Sequence, residues 1–420
     1  MAKSTATSHA QATVVLDGHI IDSLILPKIL DTILAMGGNF DLSDVRIGTR
    51  REEPSHAKIL VQAPSGDLLA SILRSIQPHG AVVEGEADCA VEPAPRDGVL
   101  PENFYATSHL PTQIRLQGRW IDVEPVEMDV AIRVTPDHSA ASTVPMADVR
   151  QGDLIITGRQ GVRVFPLQRP RERDVFSFMQ ADVSSERPNT YAIADIAERM
   201  RTLRKNREAG KPRSDVLLTG GPAIIHAGGR DALTWLIDEG FIQVLFCGNA
   251  LATHDLEADL YGTSLGYRFA AGHSVPHGHE HHLRAINRIR GIGSIDRAVE
   301  TGVIKGGVMA ACVRRGVKVV MAGSIRDDGP LPGVITDVME AQAAMRAALA
   351  TVGLALLVAT TLHAVATGNL LPATIPTVCV DVNPAVPTKL ADRGTFQAVG
   401  LVMDAASFLR DLARNLGWQG

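Results

Sequence analysis

The sequence predicts an α/β fold whose larger half is a parallel sheet, preceded by two smaller modules. Three observations predict it. First, short apolar runs recur, each ending in polar or glycine-flanked residues. Val216–Leu218 leads into Thr219-Gly220-Gly221, Ile242–Phe246 into Cys247-Gly248-Asn249-Ala250, and Val317–Ala322 into the stretch Gly323–Pro330. Leu354–Ala359 leads into Thr360-Thr361-Leu362-His363, Val378–Val380 into Asp381-Val382-Asn383-Pro384, and Ala398–Met403 into Asp404. Unbroken apolar runs of this length fit strands buried on both faces, as in a parallel sheet. Second, Gly229–Glu239, Gly291–Val299, Ile335–Leu349 and Ala406–Leu416 have helical spacing and supply the crossovers. Third, the carboxyl ends of such strands share one edge, where ligands bind. Six polar ends on one edge predict a nucleotide-binding catalytic half.

Upstream, residues 13–94 read as strand, helix, strand, strand, helix, strand. Thr13–Ile21 alternates, Leu26–Ala35 has helical spacing stopped by Gly37-Gly38, and Phe40–Arg50 and Ala57–Val61 are strand-like. Gly66–Ile76 reads as a helix and Ala81–Val83 as the last strand, the order of a ferredoxin-like split βαβ sandwich. Residues 93–102 read as a linker. Residues 103–188 read as a β-rich module with short strands at Gln113–Leu116, Met128–Val134, Asp153–Thr157 and Val162–Val164. Ala192–Arg207 is a charged helix leading into the sheet domain, 213–416.

Composition bounds the function classes. The 420 residues are 45% hydrophobic and 21% charged, with a net charge of −5. That is ordinary globular composition, and no basic footprint points to nucleic acid or a membrane surface. Cys89, Cys247, Cys312 and Cys379 form no CxxC pair, so free thiols in a reducing cytoplasm are expected. The most apolar window, Gly353–Leu371, is interrupted by His363, Gly368 and Asn369 and reads as strand–turn–helix rather than a membrane span.

Candidate site residues cluster at the strand ends. Gly220-Gly221 and Gly228-Gly229 would let backbone approach a phosphate, although no GxGxxG is present; a tight turn explains them equally well. Asp381 and Asp404 end the last two strands, where acidic residues hold ribose hydroxyls. Asp404 also suits a helix N-cap. Asn249 sits at a strand tip, with His254 and Asp255 following within two turns; Glu257 reads better as a solvated charge. His273, His277, His279, His281 and His282 crowd one segment, which reads as a loop over the cleft because no metal-ligand set accompanies them. In Arg326-Asp327-Asp328, Asp327 reads as a structural ion pair and Asp328 as the ligand-facing member. Lys389, near the Asp381 strand end, could hold a carboxylate or shuttle protons.

These residues carry a family resemblance. Cys247-Gly248-Asn249-Ala250, His254-Asp255, Gly262–Gly266, Gly323–Pro332, Leu362-His363 and Thr388–Gly394 resemble the archaeal-type, NAD-dependent ornithine cyclodeaminases, also described as the LOR/SDH conserved region. Asn103–Thr107 and Ser184–Pro188 carry the resemblance into the first half. The same sequence is similar to the C-terminal part of the cyanobacterial bifunctional arginine dihydrolase/ornithine cyclodeaminase. The resemblance implies a Rossmann-like sheet similar to that of deoxyhypusine synthase. It implies conversion of L-ornithine to L-proline and ammonia, with NAD taking a hydride from the α-carbon and returning it to a cyclic imine. It further implies NAD contacts at Asn249, Ala250, Asp328, Thr361, Leu362, His363, Asp381, Asp404 and Ala405. Substrate candidates are Asn249, His254, Asp255 and Lys389, with Asp255 as partner of the δ-amine; no metal and a homo-oligomer are expected. A dehydrogenase of lysine/saccharopine type, an aminobutyl transferase and a non-catalytic amino-acid sensor stay open as alternatives.

Overall fold

The structure is a computed structural model that describes residues 10–21, 23–50, 53–85, 87–166, 189–268, 278–392 and 398–420. It forms two compact units. Among the described residues, the first takes in 10–166 and 371–374, the second 189–370 and 375–420.

The first unit begins with strand β1 (Ala10–Gly18), helix α1 (Ile25–Ala35), strands β2 (Asn39–Arg46) and β3 (Ser55–Ala63), helix α2 (Gly66–Ile76) and strand β4 (Val82–Val83). The strands pair antiparallel in the order β2-β3-β1-β4, the split βαβ arrangement. Strict alternation of buried residues along β3 gives the sheet one packed face. Ile29 and Ile33 of α1 and Leu69, Ile72 and Ile76 of α2 fill that face. Ser65 caps α2 by accepting from the Leu68 N–H at 3.2 Å. Seven short strands follow: β5 (Ala90–Pro93), β6 (Thr112–Leu116), β7 (Arg119–Asp122), β8 (Ala131–Val134), β9 (Ala141–Val144), β10 (Leu154–Thr157) and β11 (Val162–Val164). They form two sheets, β5-β10-β8-β9 and β11-β6-β7.

The second unit opens with helix α3 (Asn189–Glu208), strand β12 (Asp215–Gly220), helices α4 (Ala223–His226) and α5 (Arg230–Asp238), strand β13 (Val244–Gly248) and helix α6 (Asn249–Tyr261). A small hairpin, β14 (Thr263–Ser264) and β15 (Tyr267–Arg268), precedes helices α7 (His281–Ile292), α8 (Ile295–Glu300) and α9 (Val308–Arg315). Strands β16 (Lys318–Ala322) and β17 (Val334–Ile335), helix α10 (Val338–Ala348), strand β18 (Val352–Val358) and helix α11 (Leu362–Leu370) come next. Strand β19 (Thr377–Asp381), helix α12 (Ala385–Asp392), strand β20 (Ala398–Val402) and helix α13 (Ala405–Leu416) complete the unit.

Seven strands make one parallel sheet in the order β17-β16-β13-β12-β18-β19-β20. All six apolar runs lie in it. Their continuity has the expected cause: β18 is buried at six of its seven residues, so both of its faces are covered. Each fully buried Leu or Val there contributes about 1.5–3 kcal/mol. The chain steps outward from β12 to β13, β16 and β17, then returns to place β18 on the other side of β12. The switch point of the sheet therefore lies between β12 and β18. Two backbones meet tightly there, since a Cβ on Gly221 would lie 1.8 Å from the Ala359 carbonyl oxygen.

Two expected helices are divided differently. The 291–299 segment is cut by Gly293, at φ +106°, and restarted by Ser294, whose hydroxyl accepts from the Arg297 N–H. Val334 and Ile335 form an edge strand, because the Asp337 carboxylate caps the next helix through the Met339 and Glu340 N–H groups. Both breaks come from capping side chains that outcompete the apolar period.

Candidate active site

Helix α6 follows β13 without a loop and is buried along Asn249 and Leu251–Glu257. Buried polar side chains on a helix generally need partners. Helix α6 supplies them for its charged and imidazole groups on two fronts, while among the described residues the buried Thr253 hydroxyl has none. On one, His254 Nδ1 lies 2.8 Å from Glu257 Oε2. Glu257 Oε1 accepts from the Thr263 hydroxyl at 2.9 Å and the Gly266 N–H at 3.1 Å, while Oε2 also takes the Leu265 N–H at 3.3 Å. Burial would raise the Glu257 carboxyl, but these donors outweigh it and hold the group below its ordinary range. Glu257 is fully buried, so its expected solvated role is corrected.

On the other front, Asp255 is fully buried and sits 2.8 Å from Arg230 Nε. Its oxygens also accept the Val308 and Met309 N–H groups at 3.0 and 2.8 Å. Burial pushes its carboxyl up, against the pull of the guanidinium and the two amides. Asp259, one turn on, accepts the Lys305 and Gly306 N–H groups at 2.8 and 2.9 Å. Gly307 makes this packing possible: at φ +92°, its Cβ would lie 2.4 Å from Asp255 Oδ1. Asp255 thus faces a loop and an arginine rather than open space, and its expected place beside a substrate amine is corrected. It anchors α6 and the start of α9.

Two more histidines flank the His254 ring, and a third joins the Thr263 hydroxyl. The His226 ring meets that of His254 edge to face with centroids 4.5 Å apart, and His226 Nδ1 is 2.6 Å from the Ser264 hydroxyl. Burial, with the neighbouring His254, pushes His226 down to about 4. The His282 ring lies 6.2 Å from His254, and its Nε2 is 3.3 Å from Asp328 Oδ2. His281 Nδ1 is 2.8 Å from the Thr263 hydroxyl. His273 and His277 lie outside the described residues.

The expected cofactor contacts distribute along the carboxyl edge. Asn249 turns its amide onto the neighbouring loop, accepting from the Leu331 N–H at 3.0 Å and donating to the Gly329 carbonyl at 3.5 Å. It thereby fixes the segment that presents Asp328. Ala250 is half-buried in the same turn of α6. Asp327 accepts from the Ser324 N–H at 2.9 Å, so it shapes its own loop; among the described residues it makes no ion pair with Arg326. His363 packs on Gly248, where a Cβ would lie 3.0 Å from its ring. Burial lowers His363, against the pull of Asp327. Thr361 and Leu362 stand exposed at the start of α11. Asp381 Oδ1 accepts from the Asn383 N–H, and Asp404 Oδ1 caps α13 through the Ser407 N–H with Ala405 buried behind it. Lys389 is exposed on α12, and among the described residues it does not touch the His254 cluster.

Sequence reasoning missed His226, Arg230, Asp259 and the importance of Glu257, and held Ser264 only as part of the Gly262–Gly266 motif. Only Glu257 left a signal, its i, i+3 spacing from His254 on one helix face. The site has the parts of a dinucleotide-dependent enzyme. Glycine backbone lies at a sheet switch point, a helix start directly follows a strand end, and carboxylates end two strands on the same edge. A buried imidazole–carboxylate pair sits beside them.

Comparison with known proteins agrees with that class. A model of the ArgZ-like C-terminal Rossmann fold matches residues 194–412, the LOR/SDH bifunctional enzyme conserved region matches 11–110, and the ArgZ-like C-terminal first region matches 111–193. The chain is 50% identical over 407 residues to ornithine cyclodeaminase of Methanopyrus kandleri, covering 97% of each. It is 41% identical over 408 residues to the bifunctional arginine dihydrolase/ornithine cyclodeaminase AgrE of Nostoc, covering 96% of this chain and 57% of that one. The crystal structure of an LOR/SDH protein from Methanococcus maripaludis aligns with TM-score 0.74 and 44% identity, over 79% of this chain and 98% of that one. The ternary complex of AgrE with ornithine and NAD+ aligns with TM-score 0.51 and 39% identity, over 97% of this chain and 57% of that one. The chain belongs to the ornithine cyclodeaminase family.

Proposed function

We propose that this protein converts L-ornithine to L-proline and ammonia, with NAD bound as a cofactor that ends each turnover in its starting state. The observation that carries this is the His254–Glu257 pair at the carboxyl edge of a nucleotide-binding sheet, in a chain matched over 97% of its length by an ornithine cyclodeaminase.

The chemistry needs a proton acceptor, because the α-amine must be neutral before its carbon is oxidised. With the Glu257 carboxylate on Nδ1, the His254 proton is held on that nitrogen and Nε2 is left to accept. The same carboxylate stabilises the imidazolium once the proton arrives. His226, neutral down to about pH 4, adds no opposing charge beside it. Bound NAD would supply the hydride acceptor for the α-carbon and the hydride donor to the cyclic imine. The δ-amine closes the ring and ammonia leaves, so ornithine becomes proline plus ammonia with no net oxidation. Lys389 is assigned as the α-carboxylate anchor. Asp381 and Asp404, each with its second oxygen outside the capping bonds described above, are assigned to the cofactor ribose. Asp328, Thr361, Leu362, His363, Ala250 and Ala405 line its path, and Asn249 acts through the Asp328 loop.

The enzyme would then serve proline formation in a reducing cytoplasm, as a homo-oligomer. Four free, buried cysteines support the compartment. The edge position of β2, with Leu42 and Val45 exposed, supports association between copies. The test of the reaction uses ornithine deuterated at the α-carbon with far less NAD than substrate. Labelled proline over many turnovers is expected. Accumulation of deuterated NADH without labelled proline refutes the proposal and makes the protein a net dehydrogenase.

A further inference from the structure

The first unit contains a cavity of about 870 Å³, remote in sequence from every residue of the candidate active site. It lies between α2 and β4 on one side and the β-rich sheets on the other. Its volume falls within the range of about 300–1,000 Å³ common for small-molecule sites.

Its charges are unusual in what they do not pair with. Arg74 of α2 and Arg159, in the turn after β10, both line it, as do Glu92 and Glu102. Among the described residues, none of these four forms an ion pair, neither with one another nor with a neighbour outside the cavity. Arg159 is nevertheless a built feature. Its Nη1 donates to Gln77 Oε1 at 2.6 Å, and its guanidinium stands 5.5 Å from the centre of the Tyr105 ring. Gln77 is 6% exposed, and its amide is fixed by donating to the Val162 carbonyl at 3.3 Å. Tyr105 is 5% exposed. A buried amide and a buried ring thus hold one guanidinium at the wall of a cavity that mixes apolar and charged groups. Arg159 is exposed as a residue, but partial desolvation of its guanidinium and the nearby positive charge of Arg74 lower its affinity for its proton. Two nearby cations that pair with none of the cavity's carboxylates repel each other, and a bound carboxylate relieves that repulsion. Glu84, also in the lining, pairs with Lys58, and the two unpaired carboxylates of the same cavity, Glu92 and Glu102, then call for a positive group on the same ligand.

We propose that this cavity binds a free cationic α-amino acid, its carboxylate on Arg159 and Arg74 and its side-chain cation on Glu92 and Glu102. The ligand is bidentate toward arginine, as a planar carboxylate matches a guanidinium fork. The site is separate from the substrate site and does not depend on the reaction proposed above.

The test is calorimetric titration of L-arginine into the full-length protein with NAD present, repeated for Arg159→Met, Arg74→Ala and Glu102→Gln. Wild type is expected to bind one L-arginine per chain, with affinity at least about tenfold weaker in each variant, a loss near 1.4 kcal/mol. NAD affinity should stay unchanged in all three. Arg74 and Glu102 are exposed, so those variants report even if Arg159→Met fails to fold. L-arginine binding that survives all folded variants and is displaced by ornithine would place the ligand in the substrate site and overturn the proposal. Absence of L-arginine binding to wild type overturns it as well.

Discussion

Glu257 Oε2 lies 2.8 Å from His254 Nδ1, one helical turn away along α6, and the same carboxylate gathers the Thr263 hydroxyl and the Leu265 and Gly266 amides. One buried group therefore sets the imidazole and ties down the turn that ends the helix. The consequences can be measured.

Glu257→Gln keeps the shape and removes the charge. We expect kcat to fall by roughly 10²-fold, the lower end for a positioned acid–base group, with a smaller change in KM. A cycle with His254→Gln should be strongly non-additive, because both variants disable one unit. Additive losses in kcat would separate the two residues.

Asp255→Asn should act on stability. It leaves Arg230, as a charge partner, only its 3.8 Å contact with Asp259. It also turns an amide NH2 toward one donor side, the Met309 N–H or the Val308 N–H and guanidinium, because these bind different Asp255 oxygens. Breaking a buried pair in this way costs about 3–5 kcal/mol. Urea unfolding of the second unit checks it. A change near zero, with activity abolished, would return Asp255 to the substrate.

His226 predicts an acid limb in stability. Its native value is about 4 against an ordinary 6.5, so between those values the unfolded chain binds a proton that the native chain does not. Stability contributed by His226 is therefore complete above about pH 6.5 and lost as pH falls toward 4. Unfolding midpoints measured across that window should be flatter in His226→Gln than in wild type. Equal slopes would mean that His226 titrates normally.

Cofactor choice follows from Asp381 and Asp404. Two carboxylates at adjacent strand ends repel a 2′-phosphate, so calorimetry should show NAD bound more tightly than NADP. Asp381→Asn should weaken NAD by about 1.5–3 kcal/mol, the worth of a hydrogen bond to a charged group, and narrow the preference. Tighter binding of NADP by wild type would remove both residues from the ribose.

The sequence alone determined the parallel sheet, because strands buried on both faces must be apolar without interruption, and β12, β13, β16, β18, β19 and β20 announce themselves that way. It also placed the polar strand ends, because glycine, Asp, Asn or Thr follows each apolar run within two residues, and the family motifs named the reaction class. Only tertiary structure decided what α6 does with its charges. Asp255 and Glu257 are both acidic, two residues apart, and look alike in a sequence. A two-residue step on a helix sends them in opposite directions, one to Arg230 and the loop before α9, the other to His254 and the turn after Gly262. His226 and Ser264 join that site from separate elements, and the Gln77–Arg159 bond spans 82 residues. Contacts of such long range leave no local period or motif, because they are fixed by how buried polar groups find partners once the chain has packed.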